Sequence, residues 1–367
     1  MNAVMEVLLY FLKLGILGFG GPLAVVSAIQ NDLVYKKKWI EEDEFNSAFA
    51  MIKAMPGPVA FMSAVFMGRH RAGFLGGAAA GFGMVFPAFV LMIFFALGAS
   101  AVKSHPNIET FFLGMQIATL GVILASLKGL VGPNSKNKKF WFLVSLSGFI
   151  FWFYPQSESL IILSFALIMV FKDKIRIHKL NTFLALSPLS LDLFWTCFKA
   201  GALVFGTGLA IVPMLQHDVV DKFGWLSQSE FLDALAFGQL TPGPVVITVT
   251  YVGYKLDGFS GAILATVGIF LASFIHLSTW FPIAFRKLRQ SKWVYKFTFG
   301  ALSAVVGPII VTTFKLGQTI DVHWGYFILS VFAFWLSLKN KIPVWGLIPL
   351  AGGCFLIINL LLKNNTF

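Results

Sequence analysis

Residues 13–58 read KLGILGFGGPLAVVSAIQNDLVYKKKWIEEDEFNSAFAMIKAMPGP, and residues 199–244 read KAGALVFGTGLAIVPMLQHDVVDKFGWLSQSEFLDALAFGQLTPGP. The two stretches align without a gap at an offset of 186 residues, and 20 of the 46 aligned positions are identical. Both carry Phe-Gly near the start and Pro-Gly-Pro at the end. The chain therefore contains an internal repeat with two copies of one unit. In a membrane protein such a repeat is typical of a transporter with its site between the repeats.

The composition is that of a membrane protein. Mean hydropathy is +0.82, and only 12% of the residues are charged, whereas soluble proteins have about 25%. Ten apolar stretches approach or exceed the roughly 20 residues that cross a bilayer. They lie at about 4–34, 73–101, 108–131, 139–154, 157–171, 194–215, 258–284, 295–317, 323–338 and 342–362.

Several other classes of function find no support in the sequence. There is no metal-binding cluster, no phosphate-binding Gly-Lys-Ser loop and no Ser/His/Asp grouping, so we expect no metal, no cofactor and no enzymatic activity. The two cysteines, Cys197 and Cys354, lie in apolar segments and are interpreted as core residues. The net charge of +12 is better explained by cytoplasmic loops than by nucleic-acid binding. Because Glu6 precedes the first basic residue, Lys13, we expect a retained span and not a cleaved signal peptide.

The Pro-Gly-Pro stretches are either full spans or re-entrant hairpins, and the distribution of Lys and Arg separates the two cases. With hairpins, 19 of the 24 basic residues outside apolar segments fall on one face; with full spans, the split is 12 against 12. Cytoplasmic loops are enriched in Lys and Arg, which favours hairpins. The sequence thus predicts an all-α polytopic membrane protein with two inverted repeats, each of five transmembrane helices plus one re-entrant Pro-Gly-Pro hairpin. The repeats take residues 1–180 and 181–367.

The Pro-Gly-Pro tips are the first candidate site. Proline stops one helix and suits the first turn of the next, so a second limb should begin near Val59 and near Val245 with free N–H groups at the tip. A helix N-terminus of this kind favours an anion. We expect the two tips to meet near the membrane centre, although a single Pro-Gly-Pro is often only a kink. The candidate substrate-binding residues are Pro56, Gly57, Pro58, Pro242, Gly243 and Pro244.

The Phe-Gly runs are the second candidate site. Glycines here either allow close helix packing or break the helix so that its N–H groups face the same cavity as the tips. Pro22 at the end of the first run favours a break. The candidate residues are Phe19, Gly20 and Gly21 in the first repeat, and Gly206 and Thr207 in the second.

Lysines inside apolar segments are the third candidate group. Each costs about 2.5–3.5 kcal/mol at the bilayer centre, so a role in attracting an anion is one explanation and snorkelling to the headgroups is the other. Lys13 and Lys199 occupy equivalent positions, six residues before Phe-Gly. Lys53 lies three residues before Pro56, where the second repeat has Gln239. We assign all four side chains to substrate binding.

Two residues are candidates for coupling to a proton or cation. Asp233 lies inside the second hairpin limb, and His276 lies within an apolar segment. A lone histidine in a span is also a common packing residue, and Asp233 has an alternative role as an ion-pair partner of Lys53 across the two tips.

Together these residues resemble the chromate ion transporter (CHR) family in its two-domain form. The resemblance rests on Phe19-Gly20-Gly21-Pro22, Pro56-Gly57-Pro58, the glycine run 73–81, Phe205-Gly206, Gly224-Trp225-Leu226 and the stretch from Gln239 to Pro244. At two positions the chain departs from the family's usual pattern: Val25 stands in place of a histidine, and Lys53 in place of a glutamine.

The resemblance implies a multi-pass protein of the bacterial inner membrane that exports chromate, with sulfate as a chemical relative. Its partners would be a small inorganic anion and the lipid bilayer, with no nucleic acid; a homodimer is left open. Inverted repeats with hairpins favour alternating access at the interface between the repeats. The alternatives on the same fold are a membrane scaffold or sensor, and an anion channel.

Overall fold

The computed structural model describes residues 2–102, 105–171, 189–279, 281, 292–320, 324–339 and 342–364. This part of the chain is helical and contains no β-strand. The helices of the first half are α1 (Ala3–Leu17), α2 (Gly21–Ile29), a π-helix (Gln30–Lys36), α3 (Glu42–Ala54), α4 (Val59–Val102), α5 (Pro106–Val131), α6 (Lys138–Phe153) and α7 (Glu158–Phe171).

The second half repeats this order. Its helices are α8 (Leu189–Leu203), α9 (Val212–Leu215), a second π-helix (Gln216–Lys222), α10 (Gln228–Leu240), α11 (Thr248–Ser278), α12 (Lys292–Gln318), α13 (Trp324–Lys339) and α14 (Val344–Asn364). The equivalent of α3 is thus α10, and the equivalent of α4 is α11.

Helices α4 and α11 each contain a sharp reversal at a glycine. Gly73 has φ +64° and Gly258 has φ +57°, a left-handed conformation that glycine adopts without strain. Before and after the reversal the chain packs closely on itself: a Cβ on Gly68 would collide with the carbonyl of Gly76, and one on Gly253 with that of Gly261. The first parts of α4 and α11 are therefore the return limbs that follow the two Pro-Gly-Pro tips.

The apolar segment 4–34 is not one continuous span, which corrects the prediction from sequence. Glu6 at the start of α1 contacts Lys37, just after the π-helix, at 2.9 Å, and the hydroxyl of Tyr10 donates to Asp32 at 3.4 Å. A straight helix from residue 6 to residue 37 would separate its ends by roughly 45 Å. The chain therefore turns back at the break after Leu17, so α1 and α2 form a helical hairpin of their own.

The later parts of α4 and α11 pack against each other in opposite directions. Phe74 contacts Phe274 with ring centroids 5.4 Å apart, and Phe89 contacts Phe259 at 6.0 Å. Since the residue number rises along one helix as it falls along the other, the two helices are antiparallel.

The helices form two bundles. The hairpin bundle contains α1 to α4 and α8 to α11, with α1 packed on α4, α8 on α11, and α4 on α11. The flanking bundle contains α5 to α7 and α12 to α14, in which α6 and α7 pack on α12, and α13 and α14 on α5. The bundles meet where α10 packs on α5 and α14, where α3 packs on α12, and where α7 and the turn Pro155–Ser157 pack on α9.

Five helical segments among the described residues are long and apolar enough to cross a membrane: Val59–Ala99, Pro106–Val131, Val245–Ser278, Trp293–Gln318 and Val344–Leu361. Shorter apolar helices accompany them, at Pro155–Val170 and Phe327–Lys339. Large exposed hydrophobic side chains, such as Phe142 and Phe327, cover the outer surfaces, as expected of helices that face lipid. The chain is a multi-pass membrane protein.

The close approach of Gly253 to Gly261 predicts that Gly253→Ala lowers the thermal unfolding temperature. The new methyl group would run into the Gly261 carbonyl and the side chain of Ala265, and overpacking of this kind costs about 1–3 kcal/mol. Gly98→Ala is the control, because a Cβ there has open space. Thermal unfolding in detergent measures both; equal unfolding temperatures would contradict the close contact.

Candidate functional site

Both Phe-Gly runs break their helices, which is one part of the second interpretation of the sequence. Helix α1 ends at Leu17 and α8 at Leu203. Gly20 and Gly21 have φ values of +102° and +82°, and Gly206 has φ +77°. These positive values place the glycines outside the helical region that other residues favour. The breaks leave unpaired backbone groups at the end of each helix.

Both Pro-Gly-Pro segments form tight tips between two helices. Gly57 has φ +136° and Gly243 has φ +91°, so both central glycines exploit their conformational freedom. The return limbs begin, as the sequence predicts, at Val59 and at Val245, where a short 3-10 turn (Val245–Ile247) leads into α11. The first N–H groups of a helix have no intrahelical partner, so each restart presents donors beside its tip.

Each tip is hydrogen-bonded to the helix break of the opposite repeat. The Gly57 N–H donates to the carbonyl of Val204 at 2.6 Å, and the Gly243 N–H donates to the carbonyl of Gly18 at 3.1 Å. Gly57 and Gly243 are equivalent positions, and so are Gly18 and Val204. The two hydrogen bonds are therefore equivalent, and the internal repeat relates one to the other. Each of these two tip N–H groups is bonded to a helix break and not to the other tip.

The first tip also rests on α11. Nδ1 of His276 lies 3.4 Å from the carbonyl oxygen of Pro56, which places this coupling candidate directly at the tip. A Cβ on Gly57 would lie 2.6 Å from Oγ of Ser273. Only glycine fits at this position, both because of its φ value and because of the space available.

Three buried polar atoms around the tips and the second break have no hydrogen-bond partner among the described residues. They are Oγ of Ser273, Oγ1 of Thr207 and Nε2 of Gln239. Thr207 follows the Val204 carbonyl that receives the Gly57 bond, and its neighbour Gly208 approaches Val245 at the second restart. Buried polar atoms in native proteins are nearly always paired, so unpaired donors at such a position point to a polar ligand.

The equivalent lysines Lys13 and Lys199 have different environments. Lys199 forms an ion pair with Asp218 of the second π-helix at 2.5 Å. Lys13 is exposed and has no ion pair or hydrogen bond among the described residues. The Asp218 equivalent, Asp32, contacts Lys36 at 2.8 Å instead. One repeat thus holds the lysine in an ion pair, and the other leaves it accessible.

The positions of Lys53 and Asp233 also differ in exposure. Lys53 is exposed, one turn before the first tip, with its ammonium 5.3 Å from the ring centre of Phe49. Asp233 is fully buried, and its Oδ1 accepts a hydrogen bond of 2.7 Å from Nε2 of Gln116 on α5. The recorded contacts therefore do not join Lys53 to Asp233. The remaining candidate, Phe19, is 39% exposed with its ring 5.2 Å from that of Trp345.

Sequence reasoning missed two features of this region. Both repeats contain a seven-residue π-helix, Gln30–Lys36 and Gln216–Lys222, a rare element that often marks a functional segment. It carries the aspartate that can pair with the repeat lysine. The signal was present, since Asp32 and Asp218 are among the identical positions of the two repeats. The second missed residue is Gln116, which nothing in its own helix distinguishes.

The chain matches the family described as "Chromate transporter" over two regions, residues 5–171 and 191–357. A probable chromate transport protein of Synechococcus elongatus is 32% identical over 358 residues, which cover 91% of this chain and 90% of that protein. A chromate transport protein of Cupriavidus metallidurans is 31% identical, covering 92% of this chain and 88% of its own length. An uncharacterized transporter of Methanocaldococcus jannaschii is 30% identical, covering 92% and 90%. No solved structure is significantly similar.

The contrast between the two lysines predicts that Lys199→Gln destabilises the protein more than Lys13→Gln. Removing one partner of a buried pair costs about 3–5 kcal/mol, and we expect the lower end because Lys199 is 32% exposed. A substitution at exposed Lys13 should stay within about 0.5 kcal/mol. Thermal unfolding in detergent measures both variants.

The double variant Lys199→Gln/Asp218→Asn is the control for this experiment. It removes both charges and leaves no unpaired carboxylate, so part of the lost stability should return. Equal losses in the two single variants, or no recovery in the double variant, would contradict the ion pair.

Proposed function

Since this chain belongs to the chromate transporter family, we propose that it is a secondary transporter of small inorganic oxyanions, chromate or sulfate, of the efflux type. Transport of this kind breaks no covalent bond in the anion, so we infer no enzymatic activity. We propose the bacterial inner membrane as its location. The observation that carries the proposal is the pair of hydrogen bonds between each tip and the opposite helix break, near buried donors that have no partner in the described part of the chain.

Neutral donors suit a small oxyanion. The oxygens of chromate and sulfate accept hydrogen bonds, and the groups around the tips that can donate are the hydroxyls of Thr207 and Ser273, the Gln239 amide and the restart N–H groups. Two opposed helix N-termini contribute about half a charge each. They neutralise one charge of a dianion, and we propose that Lys53 neutralises the other while Lys13 and Lys199 attract the anion.

We propose that the two repeats, residues 1–180 and 181–367, have inverted orientations, and that each Pro-Gly-Pro hairpin is re-entrant. Antiparallel packing of the equivalent helices α4 and α11 supports the inversion. Glu6 contacts Lys37 before the first hairpin and Arg71 after it, at 2.9 and 3.0 Å, which supports a common side for both ends of that hairpin. Glu230 and Lys255, at the two ends of the second hairpin, lie 3.5 Å apart.

Alternating access is the mechanism that we propose for this arrangement. The second hairpin is closed against the flanking bundle, since every residue from Phe231 to Gln239 is buried. The first hairpin is open, since Asn46, Ala50 and Lys53 are exposed on α3. In an inverted repeat, exchange of these two environments would move access from one side of the membrane to the other. His276, in contact with the first tip, and Asp233, in contact with the flanking bundle, remain our candidates for coupling.

The proposed topology predicts the side from which single cysteines react with an impermeant thiol reagent. Cysteines in place of Lys37, Arg71 and Lys138 should react only from the cytoplasmic side, and cysteines in place of Lys222 and Lys255 only from outside, because the basic loops lie in the cytoplasm. Labelling in right-side-out and inverted vesicles measures this. Reaction of the Lys37 and Arg71 variants from opposite sides would exclude a re-entrant hairpin.

The proposed anion site predicts saturable uptake of chromate or labelled sulfate by proteoliposomes. Lys53→Gln should shift the preference from divalent anions toward nitrate and chloride by about tenfold, equivalent to about 1.4 kcal/mol, since one of the charges opposite the dianion is lost. Competition of sulfate uptake by chromate, nitrate and chloride measures the preference. Lys128→Gln is the control, because that ammonium is bonded to the carbonyl of Leu338 at 3.2 Å.

Four outcomes would count against parts of this proposal. The absence of uptake by folded wild-type protein would favour a scaffold or sensor, and non-saturable conductive flux would favour a channel. An unchanged preference in Lys53→Gln would remove Lys53 from the anion site. If Lys53→Gln and Asp233→Asn each fail alone but rescue each other, the two residues form a pair that serves coupling.

A further inference from the structure

Glu158 is a buried carboxylate at the contact between the two bundles. It is the first residue of α7, and its side chain is 2% exposed. Neither carboxylate oxygen has a hydrogen-bond partner among the described residues. The turn before it, Pro155–Ser157, packs on α9 and on the second π-helix of the hairpin bundle.

The charged side chains that act on Glu158 are Asp218 and Lys199. These two already form an ion pair with each other at 2.5 Å. Other ionisable residues on the elements packed around α7 are Lys138 and Lys139 on α6, His217, Asp221 and Lys222 on the π-helix, and Tyr295, Lys296 and Lys315 on α12. Among the described residues, the carboxylates of Glu158 and Asp218 thus both feel the charge of one ammonium group, that of Lys199.

The cluster of Glu158, Asp218 and Lys199 is electrically neutral only if Glu158 carries a proton. Lys199 and Asp218 neutralise each other, so an ionised Glu158 would add an uncompensated negative charge in a buried position. Such a charge costs several kcal/mol, whereas the protonated acid is neutral. A like charge nearby has the same consequence, since two neighbouring carboxylates do not both ionise readily.

We propose that Glu158 is a proton-binding site of the transport cycle. A proton from water occupies a Glu158 carboxylate oxygen while that side chain is buried near the Lys199–Asp218 pair, and it returns to water when the hairpin bundle moves away from the flanking bundle. No other bond is made or broken. The inference rests on the proposed transport function, and it assigns proton coupling to a residue of the flanking bundle.

The first repeat supplies the reference for the released state. Its equivalent lysine, Lys13, is exposed, and its equivalent aspartate, Asp32, contacts Lys36. In that repeat the lysine–aspartate pair is open, and its hairpin limb α3 packs on α12 but leaves Asn46, Ala50 and Lys53 exposed. The closed, proton-bearing arrangement is thus found in the repeat whose hairpin is buried.

Proteoliposomes test the proposal through the response of chromate uptake to a pH gradient at a fixed membrane potential. Wild-type uptake should change with the gradient by fivefold or more. Glu158→Gln, which is permanently neutral, should reduce that ratio to about one while chromate–chromate exchange continues, because exchange needs no net movement of protons. Glu109→Gln, at an exposed position on α5, should behave as wild type, and Glu158→Asp should keep a response.

If uptake by Glu158→Gln responds to the pH gradient as strongly as uptake by wild type, the proposal is overturned. Loss of this response in both Glu158→Gln and the control Glu109→Gln would also overturn it. If wild-type vesicles take up neither chromate nor sulfate, the proposed function fails, and the proton site is then judged by stability alone. The neutral amide avoids a buried charge at high pH, so Glu158→Gln should raise the unfolding temperature relative to wild type more at pH 8 than at pH 5. A difference independent of pH would contradict proton binding.

Discussion

The arrangement of this protein depends on the two backbone hydrogen bonds that join each Pro-Gly-Pro tip to the broken helix of the opposite repeat. An interrupted helix inside a membrane leaves amide and carbonyl groups that lipid cannot satisfy, so non-helical backbone is tolerated there only when protein or water meets it. Gly57 donates to the Val204 carbonyl and Gly243 to that of Gly18. Each repeat therefore supplies a hydrogen-bond partner for the interrupted helix of the other. Neither repeat pairs these backbone groups by itself.

Much of this could be predicted from the sequence, because glycine and proline act locally. Pro-Gly-Pro forces a stop and a restart, and the restarts begin at the expected residues. The Phe-Gly breaks were one of two interpretations, and the positive φ values of Gly20 and Gly206 decide between them. The turning back of α1 could not be predicted, because hydropathy measures how apolar a segment is and not its direction. The contact of Glu6 with Lys37 is what reveals it.

The different environments of Lys13 and Lys199 were also beyond the sequence. Both lysines and both aspartates are present at equivalent positions, so the sequence treats the two repeats alike. What differs is the packing of the hairpin beside each pair. In the second repeat α10 packs on α5 through the Gln116–Asp233 hydrogen bond, whereas Lys53 on α3 stays exposed. Local propensity cannot encode such a difference, because it arises from the position of one bundle relative to the other.

Two copies of one motif in two environments constrain the energetics of the protein. If the Lys199–Asp218 arrangement were far more stable than the Asp32–Lys36 arrangement for this motif, both repeats would adopt it. Because they do not, the free energies of the closed and open packings differ by little, on the order of a few kcal/mol for a two-state element. Contacts between the bundles can outweigh a difference of this size. A carboxylate at that contact, whose charge depends on a proton from water, is well placed to decide which repeat is closed. Glu158, on α7 of the first repeat, occupies this position near the Lys199–Asp218 pair of the second repeat. Helix α14, the equivalent of α7 in the second repeat, carries no acidic residue in its first two turns, so the proposed proton site has no counterpart there.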